Sequence, residues 1–173
     1  MVCRWTYPIA YSLFIFTTLP VIPGFFQKLA KLVPLSLTVN CALSLFLCLI
    51  VIIFVCRLER NKVQALVALG GTGGFLILVL VRIQVPVERI HIFEYGILAI
   101  LFFRAIAPDL SHLKAYLISF ELASVMGVVD ELIQNVLPNR HFQFTDVILN
   151  VSGAAVGLAA CYLYSFLKNK HLR

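Results

Sequence analysis

Two stretches decide how this chain reads: V-E-R-I-H-I-F-E-Y-G over residues 87–96, and D-E-L-I-Q-N-V-L-P-N-R-H-F-Q-F-T-D-V-I-L-N-V-S-G-A-A-V-G over residues 130–157. Each sets ionisable and amide side chains at helical spacing among apolar residues. At about 100° per residue, Glu88 and His91 share one helical face a turn apart, and Tyr95 continues that stripe. Asp130 and Gln134 share a face in the same way, with Glu131 to one side and within reach of Gln134. Asp146, Asn150, Gly153 and Gly157 fall at offsets of 0, 4, 7 and 11, a single stripe that is polar at its start and small further along. The Gly153-x-x-x-Gly157 spacing predicts close backbone approach to a neighbouring helix.

The surrounding composition sets the medium. Of 173 residues 61% are hydrophobic and 13% charged, with a mean hydropathy of +0.98. That is too little polar surface to cover a soluble globule of this size. The expected fold is all-α: a polytopic helical transmembrane bundle without a soluble domain. A span needs about 20 mainly apolar residues at a rise of about 1.5 Å each. Six segments qualify, 5–23, 33–56, 63–81, 87–106, 113–134 and 146–167. They divide the chain into three N-terminal spans within 1–86, three further spans within 87–167 and a basic tail at 168–173. The first run is read as a retained span, because Pro20, Pro23, Phe25 and Phe26 follow it where a signal peptide would place small residues.

Charge sets the orientation and the partners. Alternate ends of the six segments carry nine Lys and Arg residues on one side and five on the other, which predicts cytoplasmic termini and an outward-facing polar constellation. The net charge of +6 is scattered between apolar runs; it forms no basic face for nucleic acid and suits anionic membrane lipid. Cys41, Cys48 and Cys56, spaced by seven and eight residues, read as small buried hydrophobes near one helix stripe. The run Gly70, Gly71, Thr72, Gly73, Gly74 lacks the Lys-Ser/Thr of a phosphate loop and reads as a packing or kink element. The first three segments hold no counterpart to the polar residues of the last three, which weakens an inverted-repeat transporter.

A charged group at membrane depth costs about 2.5–3.5 kcal/mol on insertion scales, so such groups face a cavity or each other. Three helices contributing polar stripes at one level exceed what capping needs, and a functional cavity is the expected outcome. Glu131 and His91 are the expected acid/base or ligand-orienting pair. Glu88, Tyr95, Asp130, Gln134, Asp146 and Asn150 are the expected ligand-binding residues, with Arg140 as counter-charge at the entrance. The structural alternative has these groups hydrogen-bond to one another and fix the helix register, with Asp146 a helix cap and His91 an interhelical bond. Glu88-x-x-His91 has the spacing of di-iron ligands but occurs once where those bundles use two copies, so no metal site is expected and no cofactor is named. With no Ser or Cys in the constellation, and Thr145 its only hydroxyl apart from Tyr95, covalent catalysis is poorly supported. Glu94 follows Glu88 by about 9 Å of helix and Glu121 precedes Glu131 by about 15 Å. Each needs a partner or a proton, and a proton path through them is the alternative function.

Together these residues resemble the VanZ-like membrane family. Its pattern of an acidic-basic pair, His two positions on, an aromatic and Tyr is matched by Glu88, Arg89, His91, Phe93 and Tyr95. Its later pattern is matched by Asp130, Glu131, Gln134, Pro138, Arg140, Asp146, Asn150, Gly153 and Gly157. The resemblance covers about half of the chain, residues 87–167, and departs at Ile133, where many relatives have His, and at Asn139, where Gly is common. It implies a small multi-pass protein of the bacterial cell membrane, linked through the family's named member to reduced susceptibility to the glycopeptide teicoplanin. The ligand it implies is lipid- or cell-wall-related. It supplies no reaction and no oligomeric state.

Overall fold

In the computed structural model, residues 3–34, 40, 70, 88–138 and 140–169 are described, and among them every regular element is a helix. The expected spans 33–56 and 63–81 lie almost wholly outside the described residues, as do Cys41, Cys48, Cys56, Gly71, Thr72, Gly73, Gly74 and Asn139. Gly70 is described as helical.

Proline punctuates the chain. Helix α1 (Thr6–Thr18) accommodates Pro8 in its first turn, where no intrahelical donor is lost. It stops before Pro20, and α2 (Ile22–Ala30) restarts with Pro23 near its first position; the two helices meet at 58°. Helix α3 (Arg89–Ile106) ends before Pro108. Helix α4 (His112–Val136) follows the extended Ser111 and stops at the extended Leu137, as the residue before Pro138 must. Helix α5 (Phe144–Asn169) runs to the end of the described chain.

Glycine sets the packing. The largest interface joins α3 to α5. A Cβ at Gly153 would lie 2.8 Å from Ile92 Cα, one at Gly157 would lie 2.7 Å from Gly96 Cα, and one at Gly96 would lie 3.1 Å from the Gly153 carbonyl oxygen. The two backbones therefore touch, and contact advances by four residues on both helices at once, so α3 and α5 run parallel. Helix α4 lies antiparallel against both. The Tyr95 hydroxyl of α3 donates to the Met126 carbonyl at 3.3 Å, and the Asn150 amide of α5 donates to the Gly127 carbonyl at 3.2 Å. Gly127 permits this approach, since a Cβ there would lie 2.7 Å from Asn150 Cβ. Below these ties Leu98, Ala99, Phe102, Ala123, Ala154 and Leu158 form an apolar core, and Phe103 stacks on Tyr116 with centroids 4.2 Å apart. Helix α1 covers α3 through Ile15 and through Trp5 against Phe102. At its outer end one Arg4 nitrogen donates to both oxygens of Asp109, at 3.0 and 2.9 Å.

The helical class expected from the sequence is present, and the count of about six spans is overturned. Among the described residues one helix segment, Phe144–Ser165, is long and apolar enough to cross a membrane, and the bent pair α1–α2 makes at most a second. Charge is the reason: α3 holds Arg89, Glu94 and Arg104 within 18 residues, and α4 spreads Lys114, Glu121, Asp130 and Glu131 along its length.

The glycine seam yields a direct prediction. Gly157→Val places a branched side chain against the Gly96 backbone and destabilises the bundle by about 1–3 kcal/mol or more. Gly24→Ala, with nothing within 4 Å of the added carbon, leaves stability unchanged. Thermal unfolding of the two purified variants checks the contrast.

Candidate functional site

The parallel pairing of α3 with α5, and the antiparallel lie of α4, bring the start of α3, the start of α5 and the end of α4 to one end of the bundle. The sequence between α4 and α5 turns back at that same end. Leu137 N–H bonds to Gln134 O at 3.0 Å, Arg140 N–H to Leu137 O at 3.3 Å, and Asp146 N–H to Gln143 O at 3.0 Å. Asn135 Oδ1 accepts the Phe142 N–H at 3.2 Å, which ties the turn to the last coil of α4.

Within this end His91, Glu131 and Asp146, one from each helix, are all buried and offer ligand atoms within 4.8 Å of one another. His91 Nδ1 also lies 3.7 Å from Asp130 Oδ2 and 3.8 Å from Glu94 Oε2. Glu131 is held from both sides: Gln134 Nε2 donates to its Oε1 at 2.9 Å, and the Gln143 backbone N–H donates to its Oε2 at 3.2 Å. Glu131 and Asp130 are fully buried, Asp146 is 4% exposed and His91 is 8% exposed. A small cavity of about 20 Å³ opens beside them, lined by Ile15, Thr18, Leu19, Ile22, Ile90, His91, Glu94 and Arg140. Arg140 is thus part of the cavity wall, with His91 and Glu94. The two helix N-termini facing this end present their positive dipole ends to the carboxylates, Asp146 from within the first turn of α5.

The residues expected from the sequence sort into three groups. His91, Asp130, Glu131 and Asp146 form the centre. Gln134, Tyr95 and Asn150 are buried around it with their donors engaged, Gln134 on Glu131 and the other two on carbonyls of α4. Glu88 caps α3 from a half-buried position without a side-chain capping bond. Burial and the nearby Asp146 carboxylate push the Glu88 carboxyl above its ordinary range.

Two glutamates read as equivalent have separate fates. Glu94 is a neighbour of His91, whereas Glu121 is exposed on the outside of α4. The sequence reading also gave no part to Thr18, Leu19 and Ile22 of the α1–α2 bend, which wall the cavity. Their polar pattern carries no signal, because the Thr18 hydroxyl is spent on the Phe14 and Ile15 carbonyls. Gly96 and Gly127 were missed as partners of the Gly153–Gly157 stripe; the small pair Gly96 and Ala99, three apart on α3, is the signal that marks that face.

The centre is under-bonded. Neither oxygen of Asp130 meets full hydrogen-bond geometry among the described residues, although the Tyr95 hydroxyl and the Gln134 amide lie near it, and Asp146 Oδ1, His91 Nδ1, Asn150 Oδ1 and Arg140 Nε have no partner there. Folded proteins satisfy the large majority of such buried atoms. No family model matches this chain, and no curated protein or solved structure matches it.

An under-bonded buried carboxylate destabilises its fold. Asp130→Asn removes that charge at constant shape, so it raises stability by about 1–2 kcal/mol while the function of the site is lost. Thermal unfolding combined with a phenotype assay checks this, and a variant that falls in stability marks Asp130 as a scaffold residue.

Proposed function

We propose that the protein is a VanZ-like resident of the bacterial cell membrane whose polar cavity binds or modifies a lipid- or cell-wall-related ligand, with Arg140 receiving its anionic part. One observation carries the reading: His91, Glu131 and Asp146, from three helices, converge buried at one end of the bundle under the influence of Arg140, with His91 Nδ1 and Asp146 Oδ1 unbonded. A network serving only to lock helices would bond its own atoms, because each unsatisfied group costs about 1–3 kcal/mol. The exposure of Glu121 removes one of the two groups that a proton carrier would have used.

Membrane residence is supported by the inversion of ordinary burial. Asp130, Glu131, Gln134 and Asn150 are inside, whereas Phe14, Leu113, Leu117, Val125, Leu132 and Ile148 face outward. Contiguous apolar exterior of this kind suits acyl chains and not water. The anchoring elements are α5 and the bent α1–α2 pair.

In this reading Glu131 is the acidic partner of His91, and the Gln134 and Gln143 bonds aim it. Glu131→Gln preserves the size and one acceptor of that side chain, so the variant reaches wild-type abundance and resists carbonate extraction from membranes. It nevertheless loses the envelope phenotype, read as teicoplanin susceptibility of an expressing strain. Full phenotype at wild-type abundance in Glu131→Gln returns the residue to the scaffold. Release of the wild-type protein by carbonate overturns membrane residence.

A further inference from the structure

The sequence argues against a metal through the single copy of Glu88-x-x-His91 and through Ile133, which stands where many relatives of the resembled family have His. The structure assembles a different set. His91, Glu131 and Asp146 come from α3, α4 and α5, and their ligand atoms lie within 4.8 Å of one another. Two further features of that end are otherwise unexplained. Asp146 Oδ1 and His91 Nδ1 are buried and unpartnered, and fully buried Asp130 has only the loosely placed Tyr95 hydroxyl and Gln134 amide near its oxygens. Three carboxylates and an imidazole share the space, and Arg140, which lines the same cavity as His91, acts on all four from beyond ion-pair distance. Lys and Arg make no ion pair within 4 Å with any of the three carboxylates among the described residues.

We propose that His91, Glu131 and Asp146 bind one divalent transition cation, of the zinc or manganese class. One imidazole and two carboxylates are a donor set these ions accept, and two carboxylates balance their charge within a buried site. Oxygen and nitrogen donors around such an ion sit about 2.0–2.2 Å from it, so the three side chains close on it by small rotations and without movement of the helices. Asp130 then has a purpose. It faces His91 Nδ1 at 3.7 Å, where a carboxylate fixes the imidazole tautomer and leaves Nε2 for the ion, the outer-shell arrangement of histidine metal sites. Gln134 and the Gln143 N–H do the same for Glu131. Three protein donors leave coordination open towards Arg140, where an anionic oxygen of a ligand completes the sphere. Only this last step rests on the ligand-cavity reading; ion binding stands on the three side chains alone.

The test uses the full-length protein in detergent, stripped with EDTA and titrated separately with Zn²⁺ and Mn²⁺ by calorimetry, with bound metal counted by mass spectrometry. The wild type takes up about one ion per chain. His91→Ala and Asp146→Asn each weaken binding by more than a hundredfold, Asp130→Asn weakens it by about 10–100-fold as an outer-shell residue, and Glu121→Gln, on the exposed face of α4, binds as wild type. X-ray absorption of the metal-loaded wild type, which needs no variant to fold, shows only nitrogen and oxygen neighbours. Absence of uptake of both ions, unchanged binding in folded His91→Ala and Asp146→Asn, or a sulfur neighbour overturns the proposal. The two readings fail separately. Stoichiometric metal with full phenotype in Glu131→Gln removes the ligand-cavity reading and keeps the ion, and a Glu131→Gln protein without phenotype beside a wild type that binds neither ion does the reverse.

Discussion

Everything at the polar end depends on backbone contact between α3 and α5. Ile92 on Gly153, and Gly96 on Gly157, leave no room for a Cβ on the α5 side, so the two helices meet backbone to backbone. Dispersion between close backbones is strong only at such separations and fades with gaps of an ångström. The contact also sets register. A slip of one residue would drive a side chain into the opposing backbone, so the position of His91, adjacent to Ile92, relative to Asp146, two turns before Gly153, is determined by sterics and not by the charges themselves.

That separation of duties resolves an electrostatic problem. Carboxylates gathered without counter-ions push their helices apart, and charge alone could not assemble this end. The apolar seam and the core of Leu98, Ala99, Phe102, Ala154 and Leu158 supply the attraction at one level, and the cluster sits at another, where the N-termini of α3 and α5 offer partial positive charge. The short return between α4 and α5 is held by the bonds from Asn135 and Glu131 to backbone N–H groups. It delivers Arg140 to the cavity wall without committing its side chain to a carboxylate.

Helical spacing made much of this legible. The stripes of His91 and Tyr95, of Asp130 and Gln134, and of Asp146, Asn150, Gly153 and Gly157 each follow from the period of the helix, and each turns inward. Partnership is what spacing leaves open. Gly153 and Gly157 announce a close contact without naming α3 as its other side, because the complementary surface of Ile92 and Gly96 is defined by backbone atoms that every residue has. Glu121 shows the opposite limit: an acid flanked by Phe120 and Leu122 looks embedded from its neighbours, yet its helical face is the outer one. The span count failed for a related reason. A run of mainly apolar residues still admits Arg89, Glu94 and Arg104, which interrupt α3 along its length.

The bonding state of each polar side chain separates support from chemistry. Tyr95 and Asn150 each carry a donor across a helix boundary to a carbonyl of α4, at Met126 and Gly127. These carbonyls belong to adjacent residues, so α4 is pinned from α3 and from α5 at a single level, one turn from Asp130. Their donors are consumed in that pinning. Asp130, Asp146 and His91 are buried as deeply and keep unbonded atoms. Leaving those atoms unpaired lowers stability, and a fold that had only to hold its helices together would gain by replacing them with apolar residues of similar volume. Retaining the cost beside well-bonded neighbours on the same three helices is consistent with a rigid scaffold that holds a reactive centre open to something other than itself.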